Sequence, residues 1–150
     1  MEKQFFQYDL RDYEKCLEIT DDIECVIHLA DIVGGINYVF SNELFLYRSN
    51  TLINSNVLSA SIENEVKTYL YVGTACSYPA EKQSSVGMPP LREADAYPAN
   101  PESSYGWSKL MGEYECDLAQ KETTIQTSVL RLHNVYGPPC DMSPERSQVI

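Results

Sequence analysis

The chain has 150 residues, enough for one domain, and its 43% apolar and 22% charged residues match an ordinary globular protein and exclude disordered or collagen-like classes. Eleven basic against 22 acidic residues leave a net charge of −11, which repels nucleic acid and anionic membranes, and the arginines lie too far apart to form a basic patch. Five scattered cysteines with no Cys-x-x-Cys pair, and only His28 and His133 beside them, draw no metal site and point to a reducing, cytoplasmic setting.

No basic-then-apolar leader opens the chain, and its longest apolar run, broken by His28 and Asp31, is too short to span a bilayer. Residues 4–8 are aromatic and β-prone, which predicts a first strand. Tyr13, Cys16 and Leu17 then have helical spacing over residues 12–19. Residues 25–29 (Cys-Val-Ile-His-Leu) read as a buried strand. A helix is expected somewhere in residues 39–64, with Leu44, Tyr47, Leu52, Val57 and Leu58 as its apolar positions. Residues 68–73 form the next strand, followed by a Pro-rich loop through Pro101. Ser103 or Ser104 caps a helix to about Lys121, its buried face marked by Trp107, Leu110, Met111, Tyr114 and Leu118. Residues 125–132 are the last strand.

Alternating strands and helices imply βαβ units, hence an α/β fold with a parallel sheet and helices on both faces. Ligands in such sheets bind beyond the carboxyl ends of the strands. The residues at those ends are Asp9-Leu10, Ala30-Asp31, Thr74-Ala75-Cys76 and His133-Asn134.

Tyr105-Gly-Trp-Ser-Lys109 places a phenol and an ammonium four residues apart, on one face of a helix. A nearby cation favours the phenolate, so Lys109 is expected to lower the pKa of Tyr105 and fit it to exchange a proton with a substrate hydroxyl. The spacing alone is weak: 11 tyrosines and six lysines give roughly 0.4 chance pairs. A second pair does occur, Tyr78 with Lys82, but Pro79 directly after the tyrosine disfavours a helix there. The order strand, Thr74, loop, Tyr-x-x-x-Lys, strand is more specific. The bland readings are a core tyrosine with a solvated lysine, a buried hydrophobe at Cys76, a helix cap at Asp31, and solvated surface at Glu113 and Glu115.

These pieces resemble the extended short-chain dehydrogenase/reductase family, in its branch of NAD-dependent nucleotide-sugar epimerases and dehydratases. The matching runs are Asp9-Leu-Arg-Asp12, His28-Leu-Ala-Asp31, Thr74-Ala-Cys-Ser-Tyr-Pro79, Tyr105-Gly-Trp-Ser-Lys109 and Arg131-Leu-His-Asn-Val-Tyr-Gly-Pro138. The resemblance implies a partial Rossmann-like, doubly wound sheet comprising family strands 3 to 6. It implies a catalytic set of Thr74, Tyr105 and Lys109, with Cys76 as a second acid/base beside a transient ketone. It also implies cofactor contacts from Asp9, Leu10, Leu29, Ala30, Asp31 and Asn50 together with Tyr105 and Lys109, and a substrate contact from Asn134. The cofactor would be NAD, with NADP not separated by these residues, and the substrate a nucleotide sugar.

The family's Gly-rich phosphate loop has no counterpart in residues 1–150, so the expectation is one incomplete NAD-binding domain without a separate substrate domain. The apolar strand at residues 25–29 would then sit at a sheet edge, calling for rearranged pairing, a homo-oligomer or another partner over that edge, or low stability. An amide at Gln148, where double epimerases of the family carry a lysine, cannot exchange a proton. The competing reading is a catalytically silent remnant that binds at most a partner.

Overall fold

The computed structural model describes residues 4–135; Cys140, Gln148 and the Tyr-Gly-Pro138 end of the last matching run lie outside the described residues. In chain order the elements are α1 (Tyr13–Thr20), β1 (Cys25–His28), α2 (Ile36–Ser41), α3 (Glu43–Glu63), β2 (Thr68–Thr74), α4 (Ser104–Glu122) and β3 (Gln126–Leu132). The Pro-rich loop between β2 and α4 is organised by short 3-10 turns at Ala75–Ser77, Ala80–Lys82 and Glu93–Ala96.

The strands pair in parallel in the order β1-β2-β3, with Cys25 opposite Thr68 and Thr68 opposite Gln126. Right-handed crossovers that advance in one direction across a sheet all pass over the same face. Accordingly α1 packs on α3, α3 on α4, and α4 on β2 and β3. Beneath them lie Tyr69, Tyr71 and Gly73, while Leu70 and Val72 on the opposite face are only half-buried. Ile27 and Leu130, which also face away from the helices, are 59% and 47% exposed.

The expected Rossmann-type parallel sheet is therefore present, with two differences. Residues 4–8 form no strand, because among the described residues no strand lies alongside them to complete their hydrogen bonds. The described helices cover one face of the sheet, where both were expected. β1 is an edge strand as anticipated, but its pairing with β2 follows chain order and is not rearranged.

Local chemistry explains the helix boundaries. Asp12 caps α1 by accepting from the Glu14 N–H at 3.1 Å, and Ser103 caps α4 by accepting from Gly106 N–H at 3.3 Å. The single helix expected in residues 39–64 is two, divided at Asn42, whose side-chain amide donates to the Tyr38 carbonyl at 2.9 Å.

The long helices bury the expected Val57, Leu58 and Leu110, and small and polar residues beside them. α3 buries Ser49, Asn50, Asn54 and Ser61 beside Leu46, Ile53, Val57 and Leu58, yet leaves Leu44 71% exposed and Leu52 46% exposed. α4 buries Ser108, Lys109, Gly112, Glu113 and Cys116, while Tyr114 is 49% exposed. Gly112 allows this: a Cβ there would lie 2.6 Å from Tyr71 Cζ, so only glycine lets the helix descend onto the β2 tyrosine. The core beneath comprises Cys16, Val57, Ala60, Val66, Tyr69, Tyr71, Cys116 and Ile125.

Candidate active site

The carboxyl ends of the three parallel strands open on one edge, which collects Leu29 to Asp31 after β1, Thr74 to Cys76 at the end of β2, and Asn134 after β3. Tyr105 enters from the first turn of α4. Gly106 makes this approach feasible, since a Cβ at that position would run into the Cys76 carbonyl and lie 2.9 Å from Pro101 Cβ. The Thr74 hydroxyl accepts from the Cys76 N–H at 3.2 Å, holding the turn that carries the exposed thiol.

Tyr105 is half-buried with its hydroxyl directed to Thr74 and Asp31. Burial, then the Asp31 charge, push its pKa above the ordinary phenol value, while the Thr74 hydrogen bond pulls the other way. The net direction is upward, and Lys109 is not among its leading causes. The Lys109 ammonium is 2.9 Å from Asp31 Oδ2 and donates to the Val72 carbonyl at 2.9 Å, so its charge is spent on a carboxylate. The side chains of that pair are only 4% and 7% exposed. Burial raises the Asp31 carboxyl above its usual range despite Lys109. Asp31 is thus neither a helix cap nor surface; Gly35 stands at the cap position of α2.

Beneath the site a polar chain ties four elements together. His28 Nε2 lies 2.9 Å from Asn54 Oδ1, Asn54 Nδ2 donates to the Tyr71 hydroxyl at 3.0 Å, and that hydroxyl donates to the Lys109 carbonyl at 3.3 Å. Burial drives the His28 pKa down to about 4, so the ring is neutral and donates to Asn54. A second buried pair braces the rim. Arg131 Nη2 lies 2.7 Å from Glu113 Oε2, its Nη1 donates to the Glu93 carbonyl at 2.8 Å, and its guanidinium is 5.0 Å from the Tyr78 ring centroid. Glu113, read from the sequence as solvated surface, is therefore buried and paired. Its spacing of i+4 from Lys109 and i+8 from Tyr105 was the signal that it shares their helix face.

The remaining expected residues divide. Asn50 is fully buried and spends its amide on Ile32, whose N–H and carbonyl lie 2.8 and 2.9 Å away, so it shapes the loop after Asp31. Leu29 is 67% exposed at the strand tip, and Ala30 follows it. Asp9 is on the surface, paired with Arg11 at 2.6 Å, which lowers its carboxyl to about 2. The Leu10 carbonyl accepts from Asn56 on α3 at 3.1 Å. Asn134 is exposed just past β3. Among the described residues no His, Cys, Asp and Glu cluster has metal-binding geometry, and no helix is long and apolar enough to cross a membrane.

A protein-family model described as the NAD dependent epimerase/dehydratase family matches residues 1–150. The chain belongs to that family. It is 37% identical over 135 residues to the GDP-mannose 3,5-epimerase of Arabidopsis thaliana, covering 90% of the chain and 36% of that enzyme. It is 30% identical to a probable GDP-L-fucose synthase of Drosophila melanogaster, covering 83% of the chain and 38% of the relative. The chain thus spans little more than a third of the length of these curated relatives. Among solved structures, the UDP-glucose 4-epimerase of Thermotoga maritima with UDP-glucose superposes with a TM-score of 0.82 at 25% identity, covering 95% of the chain and 45% of that structure.

Proposed function

We propose that this member of the NAD-dependent epimerase/dehydratase family acts on a nucleotide sugar by transient oxidation of a sugar hydroxyl at the Thr74–Tyr105 rim. The observation that supports it is the convergence of a phenol, a strand-tip hydroxyl and an exposed thiol on one edge of a parallel sheet, above a buried lysine. Thr74 orients the reacting oxygen. Tyr105 takes its proton on oxidation and returns it on reduction, and the protonated phenol is the form required for the return. Cys76, exposed on the same rim, exchanges a proton at the carbon beside the transient carbonyl, whose C–H is acidified by the adjacent C=O. Asn134 contacts the sugar nucleotide.

The donor set fits the nicotinamide-ribose end of a dinucleotide: Tyr105 offers a half-buried hydroxyl, Lys109 the N–H that Asp31 and Val72 leave on its buried ammonium, and Leu29 and Ala30 an apolar surface at the strand tip. Those four residues would hold NAD or NADP, which when bound accepts the hydride that the protein itself cannot take.

The test is isotope exchange. The chain is incubated with NAD and GDP-mannose or UDP-glucose in deuterated water, and deuterium entry at sugar carbons is followed by mass spectrometry. Exchange that is lost in Tyr105→Phe and in Thr74→Val is the expected result. Absence of exchange, together with no NAD binding by calorimetry, overturns the proposal in favour of a catalytically silent chain.

A further inference from the structure

A lysine charge ends a flexible four-carbon stem and sits where its neighbours hold it. Two of the Lys109 N–H groups are accounted for by Asp31 Oδ2 and the Val72 carbonyl, each 2.9 Å from Nζ. Tyr71, the residue before Val72 on β2, meets Lys109 at both ends. Its hydroxyl donates to the Lys109 main-chain carbonyl at 3.3 Å, and Lys109 Nζ stands over its ring, 5.2 Å from the centroid. A ring face attracts an ammonium at that range without receiving one of its N–H groups, so the third N–H stays open.

Tyr71 is itself held from behind. It is 1% exposed, and its hydroxyl accepts from Asn54 Nδ2 at 3.0 Å. Asn54 Oδ1 lies 2.9 Å from His28 Nε2, so polar groups from α3 and β1 fix the phenol in one orientation. Gly112, three residues after Lys109, rests on the same ring, where a Cβ would lie 2.6 Å from Tyr71 Cζ. The ring thus sets the depth of α4 on the sheet, and the hydroxyl pins the helix at Lys109. A helix carbonyl has a second lone pair free for such a bond. Tyr69, two residues earlier on the same face of β2, is as deeply buried, yet its hydroxyl makes no hydrogen bond among the described residues. Both tyrosines fill space; Tyr71 also grips α4.

We propose that Tyr71 is a positioning residue for Lys109: its hydroxyl fixes the lysine main chain and its ring face the ammonium, so that the N–H left open by Asp31 and Val72 keeps one direction at the sheet edge. The inference rests on the cofactor contact given to Lys109 above, and adds the residue that holds this contact in place.

The measurement follows the Lys109 ammonium in the whole chain without ligand, by proton–nitrogen NMR with nitrogen-labelled lysine. The signal is assigned through the side-chain carbons to the Lys109 backbone. In the native chain the ammonium protons are shifted upfield by the Tyr71 ring. Tyr71→Phe keeps the ring and removes the hydroxyl; the Lys109 carbonyl carbon then moves upfield, and the ammonium protons exchange with water about tenfold faster. Tyr71→Leu removes the ring shift as well. Tyr69→Phe, which deletes an equally buried hydroxyl, leaves the Lys109 signals as they are.

An ammonium signal in Tyr71→Phe with the native shift and exchange rate overturns the inference. An equal change in Tyr69→Phe overturns it too, since both tyrosines would then act only by filling the core. Tyr71→Phe decides the matter even where Tyr71→Leu fails to fold, because it keeps the ring under Gly112. The readout needs neither cofactor nor turnover. A changed ammonium signal in a chain that binds no NAD by calorimetry therefore leaves this inference standing while the cofactor contact falls.

Discussion

Replacing His28 with glutamine isolates one titration that the fold has displaced. In the folded chain His28 is buried and its pKa falls from 6.5 to about 4. The unfolded chain therefore binds the proton more readily, and His28 contributes stability that is fully present above pH 6.5 and is lost as pH falls through about 4. With those two values the loss is about 2 kcal/mol at pH 5 and about 3 kcal/mol at pH 4, relative to neutral pH. Glutamine keeps an amide N–H for Asn54 Oδ1 and does not titrate.

Urea unfolding followed by circular dichroism at pH 7, 6, 5 and 4, on the native chain and on His28→Gln, measures the difference. Asp31 has the opposite sign, since its raised carboxyl pKa contributes stability at acid pH that is lost as pH rises. That contribution, and those of the exposed carboxylates, are common to both proteins and cancel. The native chain must lose stability faster than the variant between pH 6.5 and 4. Parallel pH profiles would refute the assignment of His28 as a buried neutral donor.

Gly112→Ala forces a methyl against the Tyr71 ring and separates α4 from β2, at a cost of about 1–3 kcal/mol, read as a lower Tm by calorimetry. Arg131→Met leaves Glu113 buried without its cation, and the expected loss is about 3–5 kcal/mol. Most of that loss is recovered in the double variant Arg131→Met with Glu113→Leu, so a urea-unfolding double-mutant cycle without coupling would contradict the pairing.

Much of the fold was legible along the chain because it rests on local signals. Cys25 to His28 and Thr68 to Thr74 are apolar and β-prone, Asp12 and Ser103 are capping residues in capping positions, and strand-helix alternation dictates parallel pairing. The edge that gathers Thr74, Cys76, Tyr105 and Asn134 follows from the same alternation. Residues 4–8 misled because β-propensity describes a side chain's fit to a pleated surface, and among the described residues no neighbouring strand offers one. The apolar faces assigned to the long helices hold at Val57, Leu58 and Leu110 and misled at Leu44, Leu52 and Tyr114, for a related reason. Periodicity assumes that bulky residues seek the core, whereas Gly112 and Asn54 are buried here against Tyr71 of β2, which already fills the space beneath them.

What the chain determined by itself is the parallel α/β architecture and the presence of a phenol, an ammonium and a hydroxyl at the carboxyl edge of its sheet, since spacing and propensity act over a few residues. Tertiary structure alone decided the electrostatic character of that edge. Asp31 and Lys109 are 78 positions apart, and Glu113 and Arg131 are joined only when α4 lies against β3. Charges separated along a chain carry no local signature. Their consequences arise when packing removes water from between them and leaves each the other's nearest compensation.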